Sequence, residues 1–500
     1  MSIQVTPHPL PLRFRIAVLL FSSVAAATPC SAEAIKVPGD APTVAAAMER
    51  AVSGDTILVA AGTYHEAVVV QPGVTLRSQG DDAEGNDGLL RAERTIIDLN
   101  GIDVTTAAGV VLSEGSVLDG FTVTGVGKYD DQLWQHHFET HGNEQSHDDI
   151  GHFGKPAIGV EGVTCRIVHN LVHHNGGTGI GIRGAAGRSC RPQVVSNICF
   201  RNMGGGIGSM EGSTAIIEGN KCYENFYAGI GHDNASPTVR RNKCYGNVRA
   251  GIGISHGSCP IVEGNHCYQN RRAGIGIRTG PETRPTVLEN ECHENGMAGI
   301  GVEEHASPVL LRNRCLKNGM AGIGVSDGAS ATILENTCDE NLMAGIGCEN
   351  SGVVTISTNT CRRNHDSGIG VRGALSQATI HGNLVEENGK VAIGVPDGAS
   401  VIISNNQLTR TGGMPPLVAI RGGSRAIVTR NEFTGGGIAS LLIEGTATVT
   451  ENDFRSSSPE PRNAVWIWKS SHGRVENNRL HGTGRIHSDS PDVIVTEESR

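Results

Sequence analysis

Asparagine returns along this chain at a nearly constant interval, and that interval limits what the chain can become. In the motif Asn-x-Cys it falls at Asn197, Asn220, Asn242, Asn265, Asn290, Asn313, Asn336 and Asn359, spaced 22–25 residues apart. The register extends upstream to Asn170 and downstream to Asn383, Asn406, Asn431, Asn452 and Asn478. There Val385, Leu408, Phe433, Phe454 and Leu480 replace the cysteine. Fourteen turns of one repeat are visible, the signature of a solenoid. A chain of 500 residues would otherwise suggest several domains.

Within a turn, apolar residues fall three before the asparagine, two after it, and ten after it at the isoleucine of Gly-Ile-Gly. Alternation over such short stretches is the period of strands. Three short strands per turn predict an all-β, right-handed parallel β-helix. Leucine-rich repeats share the period but need a leucine pattern and a helical segment, neither of which is present. Asparagines stacked at a sharp bend can bond unpaired peptide groups and one another. A second file follows five residues later, from Asn202 through Asn225 and Asn247 to Asn388. The eight in-register cysteines, Cys199 to Cys361, occupy an inward place and read as small buried hydrophobes. Turns ~4.8 Å apart also lie within the range a disulfide bridges.

Arg13 and Arg15 precede the apolar run Ile16 to Ala27, with Cys30, Ser31 and Ala32 after it, which reads as an export signal over 1–32. Coils begin over 33–126, a histidine-rich insertion fills 127–156, regular repeats run 157–455, and a last coil and tail occupy 456–500. Pro42 to Val52 has the composition of a short capping helix, and Trp466 and Trp468 share one face of the last strand and would close the far end. The formal charge of −10 makes nucleic acid an unsuitable partner, and no later stretch is apolar enough for a membrane span. A periplasmic or secreted protein is expected.

The segments VPGDAPTV, GDTILVAAGTYHE, VTLRSQG, TIIDLNG and LDGFTVTG resemble the opening region of exported pectin-lyase-like β-helix proteins. That group includes pectinesterases, polysaccharide lyases and accessory proteins of nitrous oxide reductase. Repeats such as SPVLLRNRCLKNGMAGIGV are similar to carbohydrate-binding and sugar-hydrolase repeats. The resemblance implies a substrate groove floored by one sheet, and carbohydrate or another protein as partner. It does not extend to catalytic signatures. No N-T-D plus R-I-K pair and no D-P-H-D element is present, and His232-Asp233 is a bare H-D.

Nine turns carry Gly-Ile-Gly, from Gly179-Ile180-Gly181 to Gly368-Ile369-Gly370. With the isoleucine inward, both glycines are expected to point out and leave a bare floor. Beside it, Asp233, His256, Arg278, Glu303 and Asp327 fall on successive turns as candidate catalytic residues, together with Glu304. Acid, base and cation so placed suit lyase or hydrolase chemistry, or calcium binding; a solvated edge of mixed charge is the plain alternative. A column three after the asparagine, running His173, Phe200, Tyr223, Tyr245, Tyr268 and His293, offers flat rings for sugars. Tyr223, Tyr245, Tyr268 and His293 are the candidate substrate contacts. His136, His137, His141, His147 and His152 in the insertion, with His173 nearby, are candidate ligands for zinc, copper, nickel or iron, and a polar lid holding no ion is the alternative. Met297, Met320 and Met343 could hold Cu(I) or simply fill a bend. Copper handling is thus the alternative to carbohydrate binding, and a non-catalytic scaffold the third reading. His232, at an inward place that other turns give to isoleucine or valine, needs a partner, and Ser209 one turn earlier is available.

Overall fold

The computed structural model describes residues 33–145, 154–455, 463–482 and 484–496. The export signal expected at 1–32, and His147 and His152, lie outside the described residues. Each repeat forms one coil of a parallel β-solenoid of about 19 coils. Sheet A contains 19 strands, and sheets B and C contain 17 each. One coil runs through Thr238–Arg240 in sheet A, Lys243–Tyr245 in sheet B and Ile252–Ser255 in sheet C. Each pairs in parallel with its counterpart 23 residues later.

Alternation decides the core. Val239, Cys244, Ile252 and Ile254 are buried, while Thr238, Arg240, Lys243, Tyr245 and Gly253 face outward between them. All eight in-register cysteines are fully buried and unbridged. Burial holds the Cys222 and Cys244 thiols well above their ordinary range, so they pack as neutral hydrophobes.

The two asparagine files fix the bends. Asn242 accepts the Asn220 backbone N–H at 2.9 Å and its side-chain amide at 3.0 Å. The Asn242 amide donates in turn to Ile217 O, at 3.0 Å, and to Asn265. Each member therefore satisfies buried peptide groups of its neighbours, which left unpaired would cost ~1–3 kcal/mol apiece. The second file begins at Asn175, one coil earlier than expected, and continues to Asn388. Residues before these asparagines adopt left-handed backbone, Arg241 at φ 54° and Glu224 at φ 52°. That conformation costs ~1–2 kcal/mol per residue, and the ladder holds it in place. Arg410, 6% exposed, caps the second file by donating to the Asn388 and Lys390 carbonyls.

Helix α1 (Val44–Arg50) covers the first coil with Val44, Ala47 and Met48, as its composition predicts. Glu66 accepts from its first amides, Val44 N at 2.9 Å and Ala45 N at 2.8 Å. Helix α2 (Leu90–Arg94) places Ala92 against Leu171 and Ile198 of sheet B. Helix α3 (Asp131–Glu139) belongs to the insertion. Its Trp134 is buried against Phe226 and Val248, at the turn leading from sheet B to sheet C.

Candidate functional site

The two glycines of Gly-Ile-Gly have different surroundings, and only the second faces water. At Gly274, the first, a Cβ would meet neither solvent nor a flexible chain end: Gly299 O would be at 2.7 Å, the Asn295 amide at 2.8 Å and Cys292 Cβ at 3.0 Å. The same three neighbours recur at Gly251, Gly299, Gly322 and Gly345. The first glycine is therefore a corner of the core, required by the asparagine and cysteine of the next coil. This corrects the expectation that both point outward. At Gly276, the second, a Cβ would meet only Ala250 Cβ at 3.9 Å, and at Gly231 nothing within 4 Å.

The outward glycines stand in exact parallel register from Gly159 to Gly394. Pro156 covers the strip at Gly181. At the other end the column continues as Ala419, Leu442 and Trp466. Nine glycines, Gly208 to Gly394, are left between these ends. At ~4.8 Å per rung they floor a track about 38 Å long. Trp466 donates to Asp489 at 3.1 Å and lies 6.1 Å from Trp468. The pair thus stands on the outer face of sheet C at the end of the strip.

The edge residues occupy successive coils as expected. Asp233 pairs in register with Ser255. His256 Nδ1 lies 3.4 Å from the Asp233 carboxylate and 3.1 Å from Ser255 Oγ. Arg278, Glu303 and Asp327 follow on later coils, Asp327 accepting from Ser326 Oγ at 3.3 Å. Glu304 accepts from Thr279 at 3.1 Å. The spacing did not single out Arg272, at the opposite edge. Burial lowers its pKa, with Glu303 pulling the other way. It shares a backbone-bonded column with Arg249, Met297, Met320 and Met343, so the methionines continue a row of arginines.

The aromatic column lies on sheet B, across the turn from the glycines. Phe200, Tyr223, Tyr245, Tyr268 and His293 stack at 4.9–5.1 Å with interplanar angles of 1–9°. Ring faces are covered by neighbouring rings, so the column lacks the open platforms expected from the sequence. Burial pushes the Tyr245 hydroxyl up to about 12. The insertion clamps down beside it. Trp134 donates to Glu224 O at 2.7 Å, Arg201 lies 4.0 Å over its ring, and Gln145 donates to Val248 O at 2.8 Å.

Among the described residues, the insertion histidines His136, His137 and His141 form no cluster with a third ligand-type side chain. His136 and His141 are exposed, while His137 is buried 5.0 Å from the Phe226 ring. His173 Nδ1 meets His174 Nδ1 at 3.0 Å, and burial lowers the His173 pKa to about 4. Among the described residues, the three ligand-type side chains that do converge are His266, Glu291 and His293. Only His293 had been singled out, as a ring. His266 and Glu291 belong to the column one after the asparagine, which shares the outer face of sheet B. His232 is buried with both ring nitrogens unbonded, and Ser209 bonds Ser213 at 3.2 Å rather than His232.

The sequence matches the family described as right-handed beta helix region over residues 149–283 and 276–415, more than half of the chain. No curated protein matches it. Among solved structures, the periplasmic alginate epimerase AlgG is 14% identical, covering 85% of this chain and 76% of its own, with a TM-score of 0.35. The A-module of Azotobacter vinelandii mannuronan C-5 epimerase AlgE4 is 14% identical, covering 90% and 93%, with a TM-score of 0.28. The catalytic unit of the GH87 α-1,3-glucanase of Streptomyces thermodiastaticus is 12% identical, covering 85% and 71%, with a TM-score of 0.34. Likenesses this distant carry no argument about chemistry.

Proposed function

Because the chain belongs to the right-handed β-helix family, and because its sheet C presents a continuous bare track, we propose that it is an exported protein that binds an extended polysaccharide along the outward glycines. The observation that carries this reading is the open row from Gly231 to Gly347, where an added Cβ would meet at most alanine methyls at 3.7–4.0 Å and a sugar ring can approach the backbone closely. Arg278, Glu303 and Asp327 supply hydrogen bonds and charge along one edge, Arg272 along the other, and Trp466 an aromatic surface at the end. The order of basic, apolar and small residues in 1–32 supports export to the periplasm or beyond. Among the described residues no helix is long and apolar enough to cross a membrane.

The Asp233 and His256 pair is the proposed place for proton transfer if the bound glycan is cleaved or epimerised. Asp233 orients the imidazole, and Arg278 one coil on offsets charge developing on the sugar. A glycan array followed by titration calorimetry tests the reading. Gly276→Phe is expected to weaken polysaccharide binding at least tenfold with the fold intact, and Tyr245→Ala to leave it unchanged. Failure to bind any glycan, or indifference to Gly276→Phe, overturns it. His256→Gln should retain binding and lose any turnover the wild type has.

A further inference from the structure

On the outer face of sheet B, two imidazoles and a carboxylate meet at the end of the aromatic stack. His266 begins the strand His266–Tyr268, and Glu291 and His293 flank Cys292 on the next coil. Alternation puts all three on the same side of the sheet. His266 Nε2 and His293 Nε2 lie 2.7 Å apart, and one ligand atom from each of the three residues falls within 4.8 Å of the others. All three are half-buried, so water reaches the site without dominating it.

We propose that His266, Glu291 and His293 bind a divalent transition ion of the zinc class, with water completing its coordination. Two imidazoles and one carboxylate are a borderline-soft set that suits zinc and not calcium or magnesium, which take oxygen ligands. Zinc bonds of ~2.0–2.1 Å in a tetrahedron set the two nitrogens ~3.3 Å apart, so the 2.7 Å pair opens by about 0.6 Å when the ion enters. Without an ion, two nitrogens this close must share one proton.

The surroundings orient the ligands. His293 is held against the Tyr268 ring at 5.1 Å, and its other nitrogen lies 3.8 Å from the Glu294 carboxylate. Gln269 fixes that carboxylate at 3.0 Å. Two cations flank the site: Lys243 precedes His266 in register, and Arg314 bonds Glu291 at 3.2 Å. Arg314 leaves one Glu291 oxygen for the metal, and the two cations together limit the charge the site accepts.

The ion would link two consecutive coils, and its open position would hold exchangeable water. The test uses untagged protein loaded with zinc, desalted and assayed by plasma mass spectrometry, with calorimetry for affinity and cobalt absorption for the ligand set. Wild type is expected to retain one equivalent that the double variant H266A/H293A loses, and E291Q to bind at least tenfold more weakly. H136A/H141A is expected to retain the equivalent, and circular dichroism to be unchanged throughout. Zinc retained by H266A/H293A, zinc lost instead from H136A/H141A, or no binding by wild type at 100 µM zinc would overturn the proposal; the last would leave the pair a histidine hydrogen bond. Glycan binding lies on sheet C, so this result is read independently of it.

Discussion

Sheets B and C are built from the same coils, yet their outer faces differ. On sheet B, large residues repeat in register, and each ring is covered by its neighbours at 4.9 Å, with α2 and α3 packed over the same side of the rod. On sheet C the repeated residue is glycine, and from Gly231 to Gly347 only alanine methyls lie near it. A register that makes one face self-sufficient leaves the other to be completed from outside. Repetition alone therefore does not mark a binding face; what matters is whether the repeated side chain satisfies its own copies.

The sharpest way to break this comparison lies within one motif. Gly274→Ala should cost about 4 kcal/mol, because its methyl meets backbone in the next coil. Gly276→Ala, two residues on, should stay within about 0.5 kcal/mol of wild type, since open space receives the methyl. Thermal unfolding of the two variants measures the contrast, and equal losses would mean that sheet C has no free face. Next, Tyr245→Ala should cost about 2 kcal/mol by the same measurement, as two stacked ring contacts are lost from sheet B. A neutral result would remove the claim that this face is self-sufficient.

The smallest effect concerns the core behind the track. Burial lowers the His232 pKa to about 3, against ~6.5 when unfolded. The folded imidazole therefore stays neutral while the unfolded one takes up a proton, so stability is fully present above ~6.5 and is lost as pH falls toward about 3. His232→Ile, which copies the neighbouring Ile254, should add about 1 kcal/mol at pH 7 by removing an unbonded polar group. It should also flatten the acid side of the stability profile, leaving the part due to His173, whose pKa is lowered to about 4 on sheet B. An unchanged acid profile would show that His232 is bonded or hydrated in solution.

The solenoid was legible because its constraints are periodic. A buried asparagine, a buried cysteine and an inward isoleucine each recur at fixed offsets, and strand alternation then assigns their sides. The division of labour between Gly274 and Gly276 was not legible, since it depends on Asn295 and Cys292 of the following coil. The same holds for the insertion. Its histidines form a compositional cluster, but Trp134 and Gln145 determine how it docks, and docking buries His137 while His136 and His141 remain exposed. The cluster of His266, Glu291 and His293 was hidden because its members come from two different columns of two coils. Reading the columns one and three after the asparagine together, as neighbours on one face, would have found it.

The rungs of sheet C are nearly indistinguishable from Gly231 to Gly347, each a hydrogen atom where other proteins put a side chain. A polymer lying on such a surface gains almost the same from every register, so the barrier to shifting by one rung is low. Whatever holds it at one position must come from the irregular margin of charges and from the tryptophan at the terminus. If the proposed polysaccharide binds there, the molecule is a rail with a stop at one end, along which a long chain creeps without letting go.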